Sequence, residues 1–213
     1  MLGLSLPLLI TYAIVLVTAF SVHEFAHAWT ANHFGDDTPR LYGRLTLNPL
    51  AHLDLIGSLM LILAGIGWAK PVPVDAYALR RRSPSALMWV SLAGPLSNFL
   101  MAVLAAAPFR LGLVSRVGIS SIGVFSLPTF LDQFVIINLS LMLFNLIPLA
   151  PLDGEKVLEY FLPPEMERSF ERIRPYGPMI LLALLFVGPL MGVNVFGYLI
   201  GYPATFLHSL LVG

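Results

Sequence analysis

The sequence predicts an all-α polytopic membrane protein: a bundle of about four to six transmembrane helices with a short re-entrant or β-like membrane segment. Three observations carry that expectation. Hydrophobic residues make up 57% of the 213-residue chain and charged residues only 11%, where a soluble domain carries about a quarter charged. Twelve basic and twelve acidic side chains cannot build a water-facing surface around 23.3 kDa. Those charges are also clustered, leaving residues 1–23, 83–109, 133–152 and 175–213 without any. The lipid bilayer is the principal solvent. A formal net charge of zero provides no basic field for nucleic acid. The absence of cysteine excludes disulfides, thiolate catalysis and Cys-ligated metal sites.

A membrane span needs roughly 20 mostly apolar residues, and each uncharged stretch can hold one. Residues about 4–33 read as a retained first helix, because no basic region precedes the apolar run as it would in a signal peptide. Residues 55–69 (LIGSLMLILAGIGWA) are uncharged but only 15 long, a length that suits a re-entrant or interfacial segment better than a full crossing. They run into Lys70-Pro71-Val72-Pro73-Val74, where two prolines oppose a regular helix. Residues 83–109 and 133–152 supply two further spans. Residues 175–213 can hold another, plus a shorter return segment.

Orientation follows from the basic residues of the short loops. Arg40 and Arg44 lie in 34–54, Lys70 and Arg80–Arg82 in 68–82, and Lys156, Arg168, Arg172 and Arg174 in 153–174. The 108–130 connection carries only Arg110 and Arg116. If 55–69 does not cross, the three basic loops share the cytoplasmic side and the N-terminus lies outside. No repeat or soluble second domain is visible, so residues 1–213 read as a single transmembrane domain. Its core covers about 4–160, with additional C-terminal membrane segments over about 175–213. Nothing in the sequence sets an oligomeric state.

The chemistry begins at His23-Glu24-Phe25-Ala26-His27, an H-E-x-x-H pattern within an apolar helical run. Residues at i and i+4 share a helix face, so both imidazoles can bind one metal ion. Glu24 projects beside them, placed to take a proton from a water that the metal activates. The competing reading is a pair of buried histidines in polar contacts. Ionisable groups inside a hydrophobic helix are energetically costly and usually functional, which favours the metal. A hydrolytic zinc site usually takes three protein ligands, leaving one to find among His33, His52, Asp54, Asp132, Asp153 and His208. Asp153 stands out: it ends an uncharged run in Asn145-Leu-Ile-Pro-Leu-Ala-Pro-Leu-Asp153-Gly154, whose prolines free backbone groups near membrane depth. Such backbone is tolerated only when buried in protein or lining a wet cavity. Asp153 could equally end a helix at the interface.

H-E-x-x-H followed much later by N-x-x-P-x-x-P-L-D-G resembles the site-2 protease family of intramembrane zinc metalloproteases. Asn48-Pro-Leu-Ala-His52-Leu-Asp54 and Ala93-Gly94-Pro95-Leu96-Ser97-Asn98 agree, so the resemblance covers roughly residues 18–160. It implies one zinc ion held by His23, His27 and Asp153, with Glu24 as general base. The implied substrates are membrane proteins cut within or beside their transmembrane segments; Glu24 and Asp153 both fall near the basic-loop ends of their segments, which puts the expected active site toward the cytoplasmic side. The PDZ or CBS domain of many relatives has no room here. The resemblance also implies an extended, sheet-like element over Gly57–Val74, whose open edge could pair with an unwound substrate by strand addition. A re-entrant helical hairpin is the alternative.

Three more residues are candidates for the site. Asn145 could donate to the oxyanion of a tetrahedral intermediate, as the resemblance favours, or make an interhelical hydrogen bond. Asn98 is a possible substrate or supporting contact, although its Gly-Pro-rich surroundings also suggest close helix packing. His52 could support the metal ligands through outer hydrogen bonds, be a rival third ligand, or sit in a polar interfacial turn. The competing function is a non-enzymatic membrane zinc-binding protein or metal transporter using the same His and Asp residues. Glu24 separates the two, since a carrier needs no base beside a ligand.

Overall fold

The computed structural model describes residues 6–64, 67–115 and 126–213. Positions 4 and 5 of the expected first helix, residues 65 and 66 of the re-entrant segment and Arg116 of the 108–130 connection lie outside these ranges. Regular structure among the described residues is helical. One isolated antiparallel bridge, between Leu53 and Ala69, is the nearest thing to a sheet.

The first helix, α1 (Leu6–His33), is followed by a single turn, α2 (Thr38–Leu41), and then by α3 (Leu55–Ala64) and α4 (Ala76–Arg82). Two long helices come next, α5 (Ala86–Arg110) and α6 (Leu127–Asn145). The C-terminal part holds α7 (Asp153–Phe161), α8 (Pro164–Ile173), α9 (Gly177–Leu190) and α10 (Tyr202–Val212), the last entered through a π-helical turn at Gly197–Gly201. Four helical stretches are long and apolar enough to cross a membrane: Leu6–His33, Ala86–Arg110, Leu127–Asn145 and Pro164–Leu190. The protein is an integral membrane protein built as an all-α bundle.

α5 lies at the centre, packed along α1 on one side and α6 on the other, with α7 against it and α10 bracing α5 and α6. Small residues allow the close approach. Ala102 and Ala106 of α5 are buried against Val135 and Leu139 of α6, with Ala204 and Val212 of α10 closing the cluster. Lipid tails provide no hydrophobic drive between helices, so association relies on such close packing.

The 55–69 segment leaves and returns at one place. Lys70 N donates to the His52 carbonyl at 2.8 Å, beside the Leu53–Ala69 bridge. A Cβ on Gly57 would stand 2.2 Å from the Trp68 carbonyl, so only glycine lets the two arms touch. α3 spans ten residues, about 15 Å at 1.5 Å per residue, half the hydrocarbon thickness. The segment is helical over Leu55–Ala64 and returns with a single bridge at Ala69, without forming a strand among its described residues. Asp54 stabilises its start by accepting from Gly57 N at 2.7 Å.

Both ends of α6 are displaced toward the N-terminus relative to the uncharged run 133–152. The helix begins early enough to include Asp132, which meets His208 Nε2 of α10 at 2.8 Å; that partner lets a carboxylate sit within the span and leaves His208 outside the group that could hold a metal. It ends at Asn145, ahead of the first proline of the 145–153 motif.

Candidate metal centre

His23 and His27, four residues apart on α1, turn the same face toward α5. Both are buried, and their Nε2 atoms lie 3.0 Å apart. Each ring is held from behind by an acceptor on α5. His27 Nδ1 meets the Val90 carbonyl at 2.7 Å, and His23 Nδ1 meets Asn98 Oδ1 at 2.6 Å. A carbonyl oxygen can only accept, so Nδ1 carries the hydrogen in both rings and each Nε2 presents a lone pair.

The prolines at 148 and 151 end the helical run, and the chain re-enters helix at Asp153, the first residue of α7. Gly154 is required at this junction, because a Cβ there would stand 2.3 Å from the Leu146 carbonyl. Asp153 Oδ2 then lies 3.1 Å from His23 Nε2 and 3.3 Å from His27 Nε2. It is buried without a hydrogen-bond donor. Three lone-pair atoms thus converge on one point, an arrangement that is unfavourable by itself and is satisfied by a cation. Among the described residues, His23, His27 and Asp153 form a group that could hold a metal ion.

α5 forms the wall behind this group. Val90, Gly94 and Asn98 succeed one another at helical spacing, so one stripe supplies a carbonyl, an open surface and an amide. A Cβ on Gly94 would fall 2.5 Å from both Nε2 atoms, so glycine there keeps the point of convergence clear. Pro95 has no N–H for the Ser91 carbonyl, which interrupts the helical ladder at the same level.

In front of the group is a cavity of about 400 Å³. Phe20, Glu24, Leu141, Phe144, Asn145 and Lys156 line it, together with the extended arm Gly67–Val74. Glu24 Oε2 accepts from Val72 N at 3.2 Å, so the arm orients the Glu24 carboxylate. Asn145 Nδ2 donates to Leu141 O of its own helix at 3.0 Å. Asn98 is fully buried behind His23. His52 is fully buried too, but its Nε2 meets the Thr46 carbonyl at 2.7 Å, and it lies outside the His23–His27–Asp153 group.

The comparisons with known proteins bear on this geometry. The chain is 42% identical over 181 residues to YwhC of Bacillus subtilis, a protein named as a zinc metalloprotease, covering 83% of this chain and 80% of that one. The model of peptidase family M50 matches residues 110–188. The chain belongs to peptidase family M50. This is the site-2 protease family that the motifs resemble, and its members are metalloproteases. Rip2 of Mycobacterium tuberculosis, also named as a zinc metalloprotease, is 31% identical over 187 residues, 85% of this chain and 68% of that relative. Rip2 of Mycolicibacterium smegmatis is 35% identical over 171 residues; the alignment takes in 77% of this chain but only 62% of the relative's length. No solved structure matches the chain.

The donor set suits the metal of this M50 metalloprotease. Ligands about 2.0–2.1 Å from a tetrahedral zinc stand about 3.3 Å from one another, and the three atoms here are separated by 3.0, 3.1 and 3.3 Å. Sequence reading did not single out Val90, Val72 or Asn138. Two act through backbone groups that no side-chain pattern reveals. The third, Asn138, sits in an apolar helix with nothing nearby to pair it with Asn98.

Proposed function

We propose that this protein is an intramembrane zinc metalloprotease that hydrolyses peptide bonds in or near the transmembrane segments of membrane proteins. The convergence of His23 Nε2, His27 Nε2 and Asp153 Oδ2 beside Glu24, at the floor of one cavity, carries the reading. These three side chains would hold a single zinc ion. When bound, zinc supplies Lewis-acid polarisation of the scissile carbonyl and a water acidified enough to attack at neutral pH.

Glu24 is the general base. It takes the proton of the attacking water and later returns it to the leaving amine nitrogen. The Val72 N–H fixes the carboxylate oxygen that does not receive the proton. Asn145 keeps a second amide hydrogen after donating to Leu141, and offers it to the oxyanion of the tetrahedral intermediate. Asn98 supports His23 from behind. His52 acts at one remove: its carbonyl accepts from Lys70 N, tying down the arm that carries Val72.

The substrate lies along that arm in extended form. Pro71 and Pro73 offer no N–H, so the edge facing away from Glu24 presents carbonyl acceptors, and strand addition there fixes which way a peptide can pair. Residues 1–213 act as one transmembrane domain, since α7, which carries Asp153, packs on α5 of the same bundle. The site opens toward the cytoplasmic side, where the three basic loops meet, and the N-terminus lies outside. The test is Glu24→Gln in proteoliposomes with a model transmembrane substrate. It should keep its zinc and lose about 10²–10⁴-fold in turnover; cleavage near the wild-type rate would overturn the mechanism.

A further inference from the structure

We propose that Asn138 on α6 is a positioning residue for the metal centre, acting through Asn98 to fix which nitrogen of His23 faces the metal. The inference rests on His23 being a metal ligand, as proposed above. Asn138 and Asn98 are both fully buried and form an unbroken chain of hydrogen bonds. Asn138 Nδ2 donates to the Phe134 carbonyl at 2.9 Å. Asn98 Nδ2 donates to Asn138 Oδ1 at 2.9 Å. His23 Nδ1 stands 2.6 Å from Asn98 Oδ1.

The direction of the chain is set at its far end. A backbone carbonyl can only accept, so the Asn138 group facing Phe134 must be its NH₂. Oδ1 of Asn138 therefore faces Asn98, where only an NH₂ can answer it. The Asn98 oxygen is left facing His23, and only an N–H can answer that in turn. Each amide taken alone could turn over, since its two ends are nearly alike in shape. Linked to Phe134, neither can turn without opposing two like groups in a buried site, where an unmet polar group is costly. The result at His23 is hydrogen on Nδ1 and a lone pair on Nε2, the form a metal requires. His27 needs no such relay, because its Nδ1 meets the Val90 carbonyl directly. The two ligands are thus fixed by one device, a backbone carbonyl, applied at first hand in one case and through two amides in the other.

Asn138→Leu keeps the branched shape, at a larger volume, but removes the acceptor, so the Asn98 amide no longer has a preferred orientation. Asn138→Asp, as the protonated acid expected in this buried site, keeps a donor toward the Phe134 carbonyl and an acceptor toward Asn98, and should behave like wild type. Asn98→Asp presents His23 with an acceptor in either orientation, and should make the centre indifferent to Asn138. The experiment measures zinc affinity by chelator competition on detergent-solubilised Glu24→Gln protein, which removes turnover from the readout. Asn138→Leu should weaken zinc binding about 10–100-fold. Asn138→Asp should restore it, and adding Asn138→Leu to Asn98→Asp should change it less than about twofold, the non-additivity expected of residues acting in series. Nitrogen-15 NMR of the zinc-free protein should show His23 with hydrogen on Nδ1 in wild type and Asn138→Asp, and a mixture in Asn138→Leu. Equal zinc affinity in Asn138→Leu and wild type, alongside loss of zinc in His23→Ala, overturns the relay. An equal effect of Asn138→Leu with and without Asn98→Asp does the same, because it marks Asn138 as mere packing. Full zinc affinity in His23→Ala overturns the ligand assignment itself, and the relay with it.

Discussion

The backbone N–H of Val72 and the carboxylate of Glu24 meet at 3.2 Å across 48 positions of sequence. A re-entrant arm thereby touches the proposed base directly. A carboxylate on a flexible side chain would otherwise sample several rotamers; one N–H donor narrows that choice and leaves the second oxygen for the water proton. Val72→Pro removes the donor in a stretch that already holds Pro71 and Pro73. Turnover should fall about tenfold, the effect of losing one hydrogen bond to a charged group, roughly 1.5 kcal/mol, while zinc content stays constant. Val72→Ala, which keeps the N–H, should stay within about twofold. Equal rates for Val72→Pro and Val72→Ala would mean that the arm does not orient Glu24.

Gly94 makes the sharpest steric prediction. A methyl group at this position would stand 2.5 Å from the Nε2 atoms of both His23 and His27, inside any normal contact distance. Since α1 is clasped along the length of α5, the helices cannot separate locally to accept it. Gly94→Ala should therefore lose zinc and activity together, as metal analysis of the purified protein would show. Stoichiometric zinc in Gly94→Ala would contradict the wall that α5 is said to form.

The site was legible where its logic is local and obscure where it is not. The His23–Glu24–His27 spacing is a property of one helix, so the sequence displays it whole. Asp153 emerged because two prolines and an uncharged run isolate it. The carbonyl of Val90 and the amide of Asn138 gain meaning only once α1, α5 and α6 are side by side, and no pattern within any one of them encodes that pairing. The register of α6 shows the same limit. Asp132 looks like a boundary in the sequence, but His208, 76 positions away, makes it acceptable inside the helix. The 55–69 segment lay between these cases: its length favoured a re-entrant path over a crossing, whereas its closing contact with His52 required the fold.

A charge cluster anchors the helix that carries Asp153. Glu155 and Glu159 of α7 are buried; Arg174 pairs with both, and Arg80 pairs with Glu159 at 2.5 Å. Removing one partner of a buried pair leaves an uncompensated charge, at about 3–5 kcal/mol, and partial exposure of Arg174 places the effect toward the lower figure. Arg174→Gln should lower thermal stability by roughly 3 kcal/mol. Adding Glu155→Gln and Glu159→Gln should recover most of it. Differential scanning fluorimetry in detergent can follow both steps, and no recovery in the triple variant would show that the charges are not what holds α7.

Contacts between loops bear on sidedness. Arg44 reaches the carbonyls of Ala51 and Lys70, at 2.5 and 3.2 Å; Asp75 N donates to Asp36 at 2.7 Å; and Arg80 joins α4 to α7. Loops in contact cannot face opposite sides of a bilayer. Single cysteines in this Cys-free chain at Leu47, Arg81 and Met166 should label together from the cytoplasmic side, and one at Leu113 from the other. Opposite labelling at 47 and 81 would place a crossing within 55–69 and contradict the His52–Lys70 contact.

The size of the cavity constrains what can be cut. One turn of α-helix with its side chains is about 10–12 Å across and 5.4 Å tall, or roughly 400–600 Å³. The cavity in front of His23, His27 and Asp153 holds about 400 Å³, so a helical substrate long enough to flank its own scissile bond does not fit. An extended strand of a few residues does. Helical peptide bonds are also closed to attack, because each carbonyl is already hydrogen-bonded within the helix. A transmembrane substrate must unwind first, and each backbone group left unpaired in hydrocarbon is unfavourable by several kcal/mol. Residues that weaken the helix beforehand reduce that penalty: glycine by about 1 kcal/mol relative to alanine and proline by about 3. In proteoliposomes, a model substrate with Gly or Pro near the scissile bond should be cleaved about tenfold or more faster than its all-Leu counterpart, with equal membrane insertion. Equal or faster cleavage of the all-Leu peptide would show that unwinding does not limit the reaction, and that the substrate meets the extended arm already unfolded outside the membrane.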